Sequence, residues 1–270
     1  MSGREDKPSI AVVTGAGRGI GFALARRLRA QGHQVLITDI DEALARKAAE
    51  EMGECAWMVQ DVRDVASHGR VAERAIELGR LTTWVNNAGI LIAGDSWTNT
   101  PEEVAASFEV NVLGVIAGSN AAVKAMPDGG RILNIASQAA LGPVPGLAVY
   151  AATKAAVLSF TTSLQGDLDH AGRPIRVRAL CPNIVATEMV TSRSADPGAA
   201  ILFAGGRQLT ADEVAAAGLR LLDERAVVRS YPRSSGVLTR ATDLAPSVGL
   251  RLSVLARRAG ERRQRRGVPA

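Results

Sequence analysis

The sequence predicts an α/β fold: one doubly wound parallel sheet with helices on both faces. Three observations carry that prediction. Short β-branched runs alternate with longer segments whose apolar residues recur at helical spacing. The first run passes directly into a glycine-rich turn that opens a helix. The alternation continues without an internal repeat or a dividing linker, so the 270 residues read as one large domain.

The elements follow in order. Residues 10–14 form the first strand, followed by GAGRGIG. The helix after it carries Phe22, Leu24, Ala25 and Leu28 near helical spacing, and Gly32 can end it. Residues 35–38 form the second strand, which stops at Asp39. A helix over 41–52, a strand over 55–59 ending near Asp61, and a charged amphipathic helix over about 64–79 come next. The strand 81–85 runs into Asn86-Asn87-Ala88-Gly89. A helix from 101 to about 126, a strand over 131–135, a helix from 150 to about 170 and a strand over 175–180 continue the pattern. Thr210 and Glu213 have capping-box spacing and open a helix to about 222, and 226–230 reads as the last strand.

Bulk composition narrows the function classes. Hydrophobic residues make up 47% of the chain and aromatics only 3%, so the core is aliphatic. No run of about 18 apolar residues suggests a membrane span. The start, MSGREDKPSI, is charged and lacks the apolar stretch of a signal peptide. Cys55 and Cys181 stand far apart, and His33, His68 and His170 show no metal-ligand spacing. The expectation is a cytoplasmic protein without a metal site. The net charge of +5 belongs to the tail: from 257 to 270 there are six arginines against one glutamate, which equals the charge of the whole chain. It therefore says little about the domain face, and no aromatic stacking residues accompany the arginines, so no nucleic-acid partner is expected.

VVTGAGRGIG sits where a strand meets a helix, the place where backbone N–H groups and a helix N-terminus favour a dinucleotide pyrophosphate. The fit is to T-G-x-x-x-G-x-G, through Gly15, Gly19 and Gly21; Ile20 occupies the last glycine position of the stricter pattern. Asp39 ends the second strand 24 residues after Gly15, where a carboxylate can hydrogen-bond adenosine ribose hydroxyls and repel the extra phosphate of NADP. Arg18 could favour that phosphate, but Ile40 supplies no basic partner, so NAD is expected rather than NADP.

Within VYAATKAAVL, Tyr150 and Lys154 lie four residues apart on one helix face. A phenol titrates near ~10, and a neighbouring cation favours its phenolate, which predicts a lowered Tyr150 pKa and a usable proton donor and acceptor. The competing reading is a tyrosine at a core edge and a lysine reaching solvent.

With these motifs the chain resembles the short-chain dehydrogenase/reductase family. TGAGRGIG at 14–21, Asp61-Val62, NNAG at 86–89, NVLG at 111–114 and YAATK at 150–154 stand in the family's order, and Ser137 precedes Tyr150 by 13 residues. The resemblance covers about residues 9–190 and implies a Rossmann-type sheet. It implies proton exchange with the substrate oxygen at Tyr150, and a hydrogen bond to that oxygen from Ser137. Lys154 would lower the tyrosine pKa and bind the nicotinamide ribose, and Asn111 would hold a water that leads from Lys154 to solvent. By the same resemblance Gly15, Arg18, Gly19, Ile20 and Gly21 line the cofactor loop. Asp61 binds the adenine with Val62 beside it, Asn87, Ala88 and Gly89 pass the adenosine ribose, and Pro182, Val185 and Thr187 serve the carboxamide end. Family practice implies a homodimer or homotetramer joined through the helices beginning near Pro101 and Tyr150. Two departures stand out. Asn183 follows Pro182 where the family has glycine, and the common ending used for tetramers is missing.

Substrate contacts are expected from 139–146 and from a lid over 188–209 that contains Met189, Ile201, Leu202 and Phe203. Both stretches are largely apolar and point to a hydrophobic secondary alcohol or ketone, although Arg193 and Arg207 could bind an acid. An NADPH-preferring carbonyl reductase and a non-catalytic cofactor-binding scaffold are the rival readings. The main domain is expected over 1–243. Residues 244–270, with Leu244, Val248, Leu252 and Leu255 at helical spacing before the arginines, form a basic amphipathic extension. That segment either rests on an anionic membrane or docks a partner, or it packs on its own domain.

Overall fold

The computed structural model describes residues 7–53, 55–126, 129–236 and 246–266. Its centre is a seven-stranded, wholly parallel sheet in the order β3-β2-β1-β4-β5-β6-β7. The strands are β1 (Ser9–Thr14), β2 (Gln34–Asp39), β3 (Ala56–Val59), β4 (Arg80–Asn86), β5 (Gly130–Ile135), β6 (Ile175–Pro182) and β7 (Val228–Tyr231). The helices are α1 (Gly19–Ala30), α2 (Glu42–Glu51), α3 (Val65–Leu78), α4 (Pro101–Phe108), α5 (Gly114–Ala125), α6 (Ala148–His170), α7 (Glu188–Thr191), α8 (Ala211–Asp223) and α9 (Pro246–Arg265). This is the predicted Rossmann-type architecture.

Each strand divides its side chains between two cores, as the two-residue pleat requires. Ala11, Val13, Ile37, Leu133 and Leu180 face α1, α2 and α8. Ile10, Val12, Leu36, Trp84 and Val177 face α3, α5 and α6. Trp84 is the largest fully buried side chain, set among aliphatic neighbours. The helix starts follow the predicted chemistry. The Asp41 and Asp64 carboxylates accept from Leu44 N and Ala66 N, and Thr210 with Glu213 forms a complete capping box.

The predicted helix 101–126 is continuous in direction but not in hydrogen bonding. A π-helical turn, Glu109–Leu113, separates α4 from α5 and carries Asn111. By length and composition, Pro101–Ala125 is the only helical stretch among the described residues that could cross a membrane. Here it packs within the domain, with Met126 and Ala122 in the core beside Trp84. Leu244 and the 243/244 boundary lie outside the described residues. From Pro246 onward the extension is the helix α9, docked on its own domain. Arg257 pairs with Asp95 at 2.6 Å, Gln264 donates to Ser194 O and Asp196 O, and Gly260 sits so close to Ala200 O that a Cβ there would collide with it. Val248, Leu250 and Leu255 remain exposed on it.

Candidate active site

The sheet order reverses between β1 and β4, and in such sheets ligands lie beyond the carboxyl ends of the strands at that switch point. A cleft of about 1080 Å³ opens there. It gathers nearly every predicted site residue: Gly15, Arg18, Gly19 and Ile20 after β1; Asp39 after β2; Asp61 and Val62 after β3; Asn87, Ala88 and Gly89 after β4; Ser137 after β5; Tyr150 and Lys154 on α6; Pro182, Val185 and Thr187 after β6. Gly21 and Asn111 are not part of its lining, but Gly21 packs on Gly15 and Asn111 bonds Ile90, which are.

The glycine loop is shaped by close packing as well as by room for a ligand. Gly15 and Gly19 have φ of +60° and +59°, a left-handed conformation that glycine adopts without strain. A Cβ on Gly15 would lie 2.8 Å from Ala88 Cα, and one on Gly21 would collide with Gly15 O. Asn87 Nδ2 donates to Thr14 O and Gly15 O, while Thr14 Oγ1 accepts from Asn87 N and Ala88 N. Thr14 therefore ties the two strand ends at the switch point.

At one end of the cleft Asp39 Oδ2 accepts from Gly17 N at 2.9 Å, which fixes the carboxylate on the glycine loop. Ile40 beside it is 62% exposed. Arg18 is directed elsewhere, to Glu188 of α7 at 2.5 Å. Arg63 forks onto both oxygens of Asp61 and holds that carboxyl below the usual range. These features fit a dinucleotide. The cradle is one that side chains would fill, the anion-binding helix start of α1 is bare, and a fixed carboxylate stands at the second strand end.

At the other end Tyr150 is half-buried and lines the cleft with Ser137, whose hydroxyl oxygen accepts from Ala139 N at 3.1 Å. Lys154 is almost wholly buried; its Nζ donates to Ile135 O at 3.0 Å and lies 5.7 Å from the Tyr150 ring centre. The electrostatics correct one expectation. Burial pushes the Tyr150 phenol up to about 12, against the pull of Ser137, and pushes Lys154 down to about 8. Desolvation is the largest cause for both groups, and it disfavours the charged form of each.

The Asn111 side chain is wholly engaged. Its Oδ1 accepts from Ile90 N, and its Nδ2 donates to Ile90 O and to Thr153 Oγ1 at 3.1 Å. Thr153 in turn donates to Tyr150 O. Thr153 is thus a site residue missed in the sequence, although it lies inside YAATK. Asn183 Oδ1 accepts from Ile184 N, so its side chain caps the turn where glycine was expected.

The lid is pinned at both ends by a bridge between Val185 and Leu209. Met189, Ile201 and Leu202 line the cleft, but Phe203 packs with Val190 and Ala199 in the lid's own core. Arg193 is bound to Asp196 and Leu91 O, and Arg207 to Glu213, so neither offers an acid anchor in the cleft. Leu252 and Ala256 of α9 supply a further apolar wall that the sequence did not reveal.

Residues 9–198 match the model of the short chain dehydrogenase family. The chain belongs to this family. Among short-chain dehydrogenases, the 1-deoxy-11-beta-hydroxypentalenate dehydrogenase of Streptomyces avermitilis is 37% identical over 219 residues, covering 77% of this chain and 79% of that protein. The 3beta-hydroxysteroid dehydrogenase 1 of Eggerthella lenta is 38% identical over 204 residues, covering 72% and 77%. Two crystal structures share the fold. A short-chain dehydrogenase/reductase from Burkholderia phymatum in complex with NAD has a TM-score of 0.77 at 27% identity, covering 87% of this chain and 93% of that one. A single-substitution variant of actinorhodin polyketide ketoreductase with NADPH has a TM-score of 0.75 at 29% identity, covering 83% and 95%. The protein is thus a short-chain oxidoreductase with a nicotinamide-cofactor cleft.

Proposed function

We propose that this short-chain dehydrogenase interconverts a hydrophobic secondary alcohol and its ketone with NAD, using Tyr150 as proton donor and acceptor. The observation that carries the reading is that Tyr150, Ser137 and the buried Lys154 come together on the wall of one cleft. A nicotinamide cofactor, when bound, supplies hydride chemistry at the substrate carbon. The chain supplies the rest. Ser137 donates a hydrogen bond to the substrate oxygen and steadies charge that develops there. Tyr150, kept protonated at neutral pH, hands its proton to that oxygen during ketone reduction and recovers it during alcohol oxidation. Asn111 fixes Ile90 and Thr153, so any water it holds is held through its main chain.

Asp39 supports NAD over NADP, because its carboxylate is pinned at the loop and the nearby Arg18 is spent on Glu188. The apolar lining from Met189, Ile201, Leu202, Leu252 and Ala256, with Arg193 and Arg207 engaged elsewhere, supports a polycyclic or long aliphatic substrate. The relatives named for a hydroxysteroid and a hydroxypentalenate point the same way. The test is a panel of a 3-hydroxysteroid, a cyclic terpenoid alcohol and 2-propanol, each with NAD or NADP, followed by absorbance of the reduced cofactor. Turnover of a hydrophobic alcohol with a higher kcat/KM for NAD is expected. Turnover confined to 2-propanol, or a preference for NADP, contradicts the reading.

A further inference from the structure

Beneath the Asp39 and Asp61 end of the cleft lies a buried polar relay. Thr38 Oγ1 donates to Gln60 Oε1 at 2.6 Å. Gln60 Nε2 donates to Ser67 Oγ at 3.1 Å and faces His68 Nδ1 at 3.2 Å. Ser67 Oγ donates to Asp61 O at 3.0 Å, and His68 Nε2 lies 2.9 Å from Val62 O. The main chain adds Gln60 N to Asp39 O at 2.8 Å. Thr38, Gln60, Ser67 and His68 are all buried.

The direction of the relay is fixed by chemistry. A carbonyl only accepts, so His68 Nε2 carries the proton, and Nδ1 is then the acceptor for Gln60. Each polar atom of these four side chains has a compatible partner. The relay therefore holds two carbonyls, those of Asp61 and Val62, in one position relative to Asp39. Asp61 and Val62 themselves line the cleft. On the opposite side Val62 lies against the start of α5, where a Cβ on Gly114 would be 3.1 Å from it. With Val62 packed on one side and bonded on the other, loss of the His68 bond frees the backbone that presents Asp61.

We infer that His68 is a positioning residue for the adenosine half of the cofactor, acting through its Nε2–H on Val62 O and through Gln60 on the second and third strand ends. This rests on the dinucleotide reading above.

The test is calorimetric binding of ADP-ribose, which carries the adenosine half and needs no substrate, with the melting temperature of each variant as a control for folding. His68→Leu is expected to bind ADP-ribose about tenfold more weakly, the scale of one or two lost buried hydrogen bonds. His68→Gln keeps a donor near the Nε2 position and is expected to recover most of that loss. A folded His68→Leu that binds within about twofold of wild type overturns the inference, and so does a His68→Gln no better than His68→Leu. If His68→Leu does not fold, Ser67→Ala, which frees Asp61 O and one N–H of Gln60, decides: weaker binding supports the relay, and unchanged binding overturns it. If the wild-type protein itself does not bind ADP-ribose, the dinucleotide reading fails and this inference falls with it.

Discussion

Tyr150→Phe is expected to lower kcat by a factor on the order of 10² to 10⁴, the usual scale for a lost general acid or base. Dinucleotide affinity should stay nearly unchanged, because the glycine loop, Asp39 and Lys154 keep their partners. The fold should also tolerate the change: Ser137 retains its bond from Ala139 N, and the ring keeps its place on α6. The check is single-turnover kinetics with the best alcohol, beside calorimetric binding of NADH. A variant with wild-type kcat would remove Tyr150 from the chemistry. Because burial holds the phenol protonated up to about 12, reduction is favoured at neutral pH, and alcohol oxidation should accelerate as pH rises.

Lys154→Met should pull activity and stability in opposite directions. Burial lowers the Lys154 pKa to about 8 from its ordinary value of 10.5. The unfolded chain therefore holds this proton more tightly, and the folded state carries a penalty on the order of 3 kcal/mol at pH 7. The sign follows from the depressed folded value. The penalty is complete below about pH 8 and fades as pH rises toward the unfolded value. Methionine fills similar space without the charge but leaves Ile135 O without its donor, which costs about 1–3 kcal/mol. A net gain of about 1 kcal/mol remains, or roughly 2–4 °C in melting temperature for a domain of this size. Turnover should fall on the order of 10²-fold or more, since the group beneath Tyr150 is gone. Thermal melts at pH 7 and pH 9.5 check this: the variant should be the more stable at pH 7, with the difference shrinking at pH 9.5. A variant that melts lower at pH 7 would show that Lys154 is a structural asset and that its ammonium is well compensated.

Much of the fold was legible because local and global signals agree. Gly15, Asp39 and the Asp61-Val62 pair each mark a strand end, and a parallel sheet brings strand ends to one edge. Tyr150 and Lys154 were legible because four residues make one helix turn. What stayed hidden depended on contacts distant in sequence. The π turn at Asn111 adds one residue to a helix that remains apolar at the right spacing, so the pattern around it does not change. The Tyr150 pKa depended on how far the folded site excludes water, and spacing carries no information about that. Leu252 and Leu255 were visible as an apolar stripe, but only the docking of α9 beside the lid shows that Leu252 reaches the cleft. Phe203 looked like a lid contact by its chemistry, and the lid's own small core claimed it.

Hydride transfer through the Tyr150 site is tested most directly by following the hydride itself. The best secondary alcohol of the panel, deuterated at its carbinol carbon, is incubated with NAD, and the reduced cofactor is analysed by mass spectrometry. One deuterium in NADH is expected for each ketone formed, in the wild-type protein and far more slowly in Tyr150→Phe. Ketone formed without deuterium in NADH, or equal transfer in the two proteins, would contradict a Tyr150-assisted hydride transfer to NAD.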